Sequence, residues 1–188
     1  MRFSISKQGA AALLCMAGAI MWVRSEASGT QEPIPEYRSK AIFLCNFGKF
    51  VQWPTDAFED AGSPFVIGVL GEDPFGAFLE KAVKGQTVHE RRIEIKRFKQ
   101  VKDNGICHTL FISHSEKSRV AQILKQLGKS PTLTVSEIDR FPQKGGMIKF
   151  VITKEEQVKF EINPEAAKRS GLTIGSDLLE LATKIIKS

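Results

Sequence analysis

The hydrophobic positions of this chain change period several times, and each change marks an element. Residues 36–53 follow a helical period. At about 100° per residue, Phe43, Leu44, Phe47, Gly48, Phe50 and Val51 fill a wide apolar arc, and only Asn46 and Lys49 mark a narrow polar edge. This predicts a helix over 36–53, stopped by Pro54. An ordinary surface helix needs a narrower stripe. This one asks for cover on two sides, by its own sheet and by a ligand, a second subunit or a partner protein. Residues 65–70 form a short apolar run between turn residues, the mark of a strand buried on both faces. Asp73 as N-cap and Pro74 at the first helical position open a helix over 75–83. Residues 92–98 alternate apolar and polar, as a strand with one covered face does. Residues 107–113 read as a second buried strand. Ser115 caps a helix to Leu127 carrying Val120, Ile123, Leu124 and Leu127 at helical spacing, and 131–135 is a further strand.

Strands alternating with helices in the order α-β-α-β-β-α-β predict an α/β fold, a mainly parallel sheet with helices on both faces. The pattern then changes. Residues 147–152 and 158–162, joined by the charged turn 153–157, read as an antiparallel hairpin at the sheet edge, with Lys and Glu on an exposed outer face. Asn163 caps a short helix that has Pro164 at its first position and ends at Gly171. Ser176 or Asp177 starts a last helix through Ile186. No internal repeat appears, and 36–188 reads as one domain behind a leader at 28–35 that holds Gly29, Pro33 and Pro35.

The first 27 residues are a different object. Arg2 and Lys7 form a basic start, 9–23 is continuously apolar, and Ser25-Glu26-Ala27 offers small residues at a signal peptidase's spacing. This is a secretory signal peptide cleaved near Ala27. Leu14 before Cys15 argues against a lipid anchor. After residue 30 no stretch is long and apolar enough to span a bilayer, so the exported chain is not expected to cross the membrane. Removing Arg2, Lys7, Arg24 and Glu26 from the 188 residues leaves 24 basic and 20 acidic residues, net +4. That mild charge, in short clusters with acids among or near them, excludes a nucleic-acid partner. Two cysteines remain, Cys45 and Cys107. In an oxidising compartment they are candidates for a disulfide, or else two buried thiols.

Enzyme motifs are nearly absent. His89, His108 and His114 have no partner at a fixed spacing, and the side chains of Cys107 and His108 point to opposite faces of a strand. There is no nucleophile elbow and no metal-ligand cluster. The run from Gly68 to Gly76 lacks G-x-G-x-x-G spacing, and Glu72 and Asp73 repel phosphate there. No cofactor is expected. The default place for a ligand is the crevice at the carboxyl ends of the parallel strands, near Gly71, Ser113 and Ser136.

Five segments, taken in order and spacing, carry a resemblance. They run over 43–54 (FLCNFGKFVQWP), 65–76 (FVIGVLGEDPFG), 107–113 (CHTLFIS), 145–151 (GGMIKFV) and 160–172 (FEINPEAAKRSGL). Together they resemble the YfiR family of periplasmic proteins across essentially the whole exported chain. The resemblance implies a periplasmic regulator and not an enzyme. Its best-known member binds the periplasmic part of a membrane-bound diguanylate cyclase and keeps it inactive. Release of that hold raises cyclic di-GMP and favours biofilm. That member is a dimer with disulfides, whereas this chain has only two cysteines after residue 27, a departure that argues against carrying redox control over. A homodimer is implied here too. On this reading Phe43, Phe47, Phe50 and Trp53 are the candidate partner or dimer contact. Gln52, Asn163, Arg169 and Ser176, near the 163–176 segment with its Lys168-Arg169 pair, are candidates for a small-ligand pocket. The rival reading is a periplasmic small-molecule-binding domain associated with a receptor or transporter.

Overall fold

A computed structural model describes residues 36–187 except 104 and 106. The expected signal peptide and leader lie outside the described residues. Helix α1 runs Glu36–Phe47, and the chain then leaves helical geometry through a 3₁₀ turn at Gly48–Phe50 into a two-residue strand, β1, Val51–Gln52. The sheet is built from β2 (Phe65–Leu70), β3 (Thr87–Val88), β4 (Arg91–Phe98), β5 (Thr109–Ile112), β6 (Leu133–Ser136), β7 (Ile148–Ile152), β8 (Val158–Ile162) and β10 (Lys184–Ile185). Its spatial order is β10-β8-β7-β6-β5-β2-β4-β3. Helices α2 (Ala77–Val83), α3 (Val120–Leu127), α4 (Pro164–Arg169) and α5 (Ser176–Leu181) complete the chain, with strand β9 at Thr173–Ile174.

Strand β2 lies between β4 and β5 and is parallel to both, so its six residues are all buried, as an uninterrupted apolar run requires. Strands β5, β6 and β7 continue in parallel. The β7–β8 hairpin is antiparallel, with Phe150 opposite Phe160. Alternation along each strand sorts side chains to two faces. Phe65, Ile67, Val69, Phe111, Val135 and Ile148 share one core with Leu44 of α1, Leu79 of α2, Ala167 of α4 and Leu178 of α5. Leu70, Leu110, Ile112 and Phe98 form the other with Val120 and Ile123 of α3. The sheet is therefore mainly parallel with helices on both faces and a C-terminal antiparallel hairpin.

Four boundaries differ from expectation. The first helix stops at Phe47 rather than Trp53, because β1 pairs antiparallel with β9 and Phe50 C=O accepts from Gly175 N–H at 2.8 Å. Val51, Gln52 and Trp53 thus follow strand alternation, with Val51 buried, Gln52 exposed and Trp53 half-buried, where a last helical turn was expected. Asp73 does not cap α2. Its Oδ1 accepts from Phe75 N–H at 2.8 Å, a local turn, and regular helix begins at Ala77. Ser115 does not cap α3, which starts at Val120. The last helix ends at Leu181, and 183–186 bonds to β8 instead, with Thr183 N–H donating to Phe160 C=O and Ile186 N–H to Ile162 C=O. So β10, and not the hairpin, forms that edge of the sheet.

Candidate functional site

The aromatic side chains that make α1 so apolar turn mostly inward. Phe47 is fully buried, stacked on Phe150 at 5.7 Å and edge-on to Phe160 at 5.1 Å. Phe43 is half-buried, 6.1 Å from Phe47 and 5.6 Å from Phe160. One i, i+4 pair on the helix thus packs on one cross-strand pair of the hairpin. Their cover is the β7–β8 part of the chain's own sheet, so the fully buried Phe47 does not face a partner, while Phe43 keeps one part-exposed edge. Trp53 packs edge-on against Phe65 at 5.1 Å, and its indole N–H is buried without an acceptor among the described residues. Phe50 alone of the four keeps substantial exposure, 36%.

The sheet crevice is also filled from within. The chain passes from β2 to β4 on one side and then crosses to β5 on the other, so the strand order reverses between β2 and β5. There Gly71 has φ +90°, and a Cβ on it would lie 2.5 Å from Ser115 Oγ. That hydroxyl accepts from Glu72 N–H at 3.0 Å. Ser136 Oγ donates to Ile112 C=O at 2.7 Å and accepts from Ile138 N–H at 3.1 Å. Glu116 is buried beside Gly71 and holds Arg119 at 2.5 Å. The space that remains beside it is about 160 Å³, walled by Leu70, Val101, Arg119 and Ile123 among others. The Ser115 and Ser136 hydroxyls and the Glu116 carboxylate are thus engaged within the chain.

A buried charge cluster ties α1 to the end of β6, and no local sequence pattern announces its far half. Lys40, 2% exposed, bonds both Glu36 and Glu137. Tyr37 O–H donates to Glu137 Oε1 at 3.0 Å. Burial, and then the Glu137 charge, push the Tyr37 hydroxyl up to about 12. The Glu36–Lys40 spacing is visible in the sequence as an i, i+4 pair. Glu137 arrives from 97 residues away.

Two of the three histidines are bonded to backbone groups. His108 is buried, with Nδ1 accepting from Val66 N–H at 2.9 Å and Nε2 donating to Ala57 C=O at 3.0 Å. Its ring lies between Phe58 at 4.3 Å and Phe65 at 5.1 Å. Burial lowers its pKa, with the Arg91 and Lys96 charges acting in the same direction. His89 Nε2 donates to Val51 C=O at 2.9 Å, and His114 sits exposed in the turn after β5.

The four residues expected at a ligand pocket lie in different settings, with Gln52 paired to Thr173 across β1–β9. Gln52 lines a surface hollow of about 350 Å³ with Trp53, Pro54, Thr55, Phe58, His89 and Arg91. Asn163, Arg169 and Ser176 are not on its walls. Asn163 is fully buried as the α4 cap. Its Oδ1 accepts from Ala166 N–H at 2.9 Å and its amide donates to Pro142 C=O at 2.9 Å. Arg169 and Ser176 are exposed, at the end of α4 and the start of α5. Cys45 and Cys107 are free, buried thiols rather than a disulfide. Cys45 is on α1, over the first core, and Cys107 belongs to the second, so the sheet separates them.

The family described as YfiR/HmsC-like matches residues 37–183. Among solved structures, the ABC domain in complex with L-Trp from Streptococcus pneumonia has a similar fold, with a TM-score of 0.52 at 13% sequence identity. That alignment covers 79% of this chain and 60% of the other, so the chain spans well under two thirds of that structure's length. At that identity the likeness concerns the fold alone. No curated protein matches the chain.

Proposed function

Because the chain belongs to the YfiR/HmsC-like family, we propose that it is a periplasmic negative regulator that binds a membrane-bound signalling enzyme, a diguanylate cyclase, and holds it inactive. In this role it lowers cyclic di-GMP and restrains biofilm. The observation that carries the reading is the family match over 37–183, nearly the whole described body. The interior agrees with it. Ser115 and Ser136, at the carboxyl ends of the strands, have their hydroxyls engaged by backbone, and both ring nitrogens of His108 are bonded to backbone groups. A regulator of this kind works through differential affinity for the active and inactive states of its target. It needs a surface rather than a catalytic group. Export by the residues 1–27 signal and assembly as a homodimer belong to the same proposal, with Phe50 as the exposed aromatic of the original contact set.

Deleting the gene tests this. The expected result is a rise in cyclic di-GMP and thicker biofilm, both reversed by the restored gene. Unchanged cyclic di-GMP in a strain that expresses the candidate cyclase would refute the proposal. The rival, a small-molecule sensor tied to a receptor or transporter, draws on the fold shared with a domain that holds L-Trp. It predicts ligand-dependent thermal stabilisation of the isolated protein.

A further inference from the structure

Away from its phenylalanine arc, α1 forms an open groove with α2. Arg38 and Ile42 are four residues apart on α1. Phe78, Lys81 and Ala82 lie at i, i+3 and i+4 on α2, so each set lines one helix face. Together they wall a hollow of about 310 Å³. Its floor is apolar, and Ile42 stands 45% exposed at a position flanked by the buried Ala41 and the half-buried Phe43. Its lips are cationic. Among the described residues no carboxylate pairs with Arg38 or Lys81. The nearest acids in sequence are engaged elsewhere, Glu36 by Lys40 and Glu80 by Arg97 at 2.6 Å.

We propose that this α1–α2 groove receives an acidic amphipathic helix of the membrane partner, with an apolar side chain on Ile42, Phe78 and Ala82 and carboxylates on Arg38 and Lys81. The inference rests on the regulator reading above and names its working surface. Two helices form the walls, and their backbone groups are bonded internally, so a strand cannot add to them. Recognition runs through side chains, as when a helix lies in a groove. The charge pattern selects the occupant. A second copy meeting this groove about a two-fold axis would set Arg38 and Lys81 against the same two cations, and like charges across a contact disfavour it. A partner carrying Asp or Glu at helical spacing relieves both cations and covers Ile42.

The test uses the full chain expressed from its own promoter in the deletion strain, with cyclic di-GMP as the readout. Wild type and Arg38→Lys are expected to restore a low level. Arg38→Glu with Lys81→Glu, and separately Ile42→Asp, are expected to leave cyclic di-GMP at the deletion level, through a loss of affinity of about tenfold or more. All three positions lie outside the buried core, and matched circular dichroism and thermal midpoints establish that the variants fold. If the charge-reversed protein restores a low level as wild type does, the groove is not the contact, and the regulator reading stands without it. If wild type itself changes nothing, the regulator reading falls and takes the groove with it. If either variant alters the oligomeric mass in light scattering, the groove joins copies of this chain, and the acidic-partner assignment is overturned.

Discussion

His108 shows how a single residue reports on the state of the fold. Its two ring nitrogens join backbone groups of two segments, Val66 on β2 and Ala57 in the preceding loop. Protonating Nδ1 would replace an acceptor by a donor facing the Val66 N–H. The folded pKa lies below the ordinary value, so the unfolded chain binds more protons as pH falls through about 6.5. Stability contributed by this residue is full above that pH and declines below it, until the folded form also titrates. Urea unfolding followed by Trp53, the one tryptophan after residue 27, is expected to show a lower midpoint at about pH 5 than at about pH 7. The slope should shrink in His108→Asn, and an unaltered slope in that variant would assign the effect elsewhere. Cys107 gives a second readout. Burial pushes its thiol up to about 12, which leaves almost no thiolate to react. Alkylation of the unreduced exported protein is expected to label two thiols once it is unfolded and to spare Cys107 while it is folded. Recovery of a Cys45–Cys107 disulfide would contradict the free thiols.

At the scale of elements, α1 is held to the sheet by two unlike devices. Phe43 and Phe47 pack on the Phe150–Phe160 pair, and the buried Lys40 bridges the exposed Glu36 and the mostly buried Glu137. Removing one member of a buried ion pair leaves the other uncompensated, so Lys40→Met is expected to cost about 3 kcal/mol. Adding Glu137→Gln to it should recover part of that loss, and purely additive costs would show that the pair is not coupled. The opposite sheet face has its own constraint. A Cβ on Gly68 would come within 2.7 Å of both Cys107 Sγ and a Phe98 ring carbon. Gly68→Ala is therefore expected to destabilise by about 1–3 kcal/mol in chemical denaturation, and a neutral result would mean that the α3 side of the sheet repacks freely. These same elements show what was legible beforehand. The uninterrupted run of β2, the β7–β8 alternation and the Asn163-Pro164 cap are local signals, and each became the expected element. Val51-Gln52 and Lys184-Ile185 are strands only because β9 and β8 lie beside them. Pairing across the fold overrode a helical period that was locally sound.

At the scale of the whole molecule, the candidate site was legible only as a surplus. The wide apolar arc of α1 signalled unusually deep burial of Phe43 and Phe47. It did not reveal that the hairpin strands of the chain's own sheet supply the aromatic cover, because Phe150 and Phe160 are about 100 residues away along the chain. The α1–α2 groove proposed as the working surface was equally hidden, because Ile42 looked unremarkable in sequence and Phe78 belonged to another helix. Glu137 was hidden for the same reason, as were the separate positions of Gln52 and Asn163. The family blocks, by contrast, are contiguous in sequence and so could be read before any contact was known. A homodimer remains part of the proposal, and light scattering of the exported chain is expected to give twice its sequence mass, with a monomeric mass contradicting it. The most direct test of inhibition adds purified exported protein to spheroplasts of the deletion strain, where it meets the outer face of the inner membrane without export. Intracellular cyclic di-GMP is expected to fall with dose and saturate. A level that does not fall at any dose, in spheroplasts that contain the cyclase, would contradict inhibition of the cyclase by this protein.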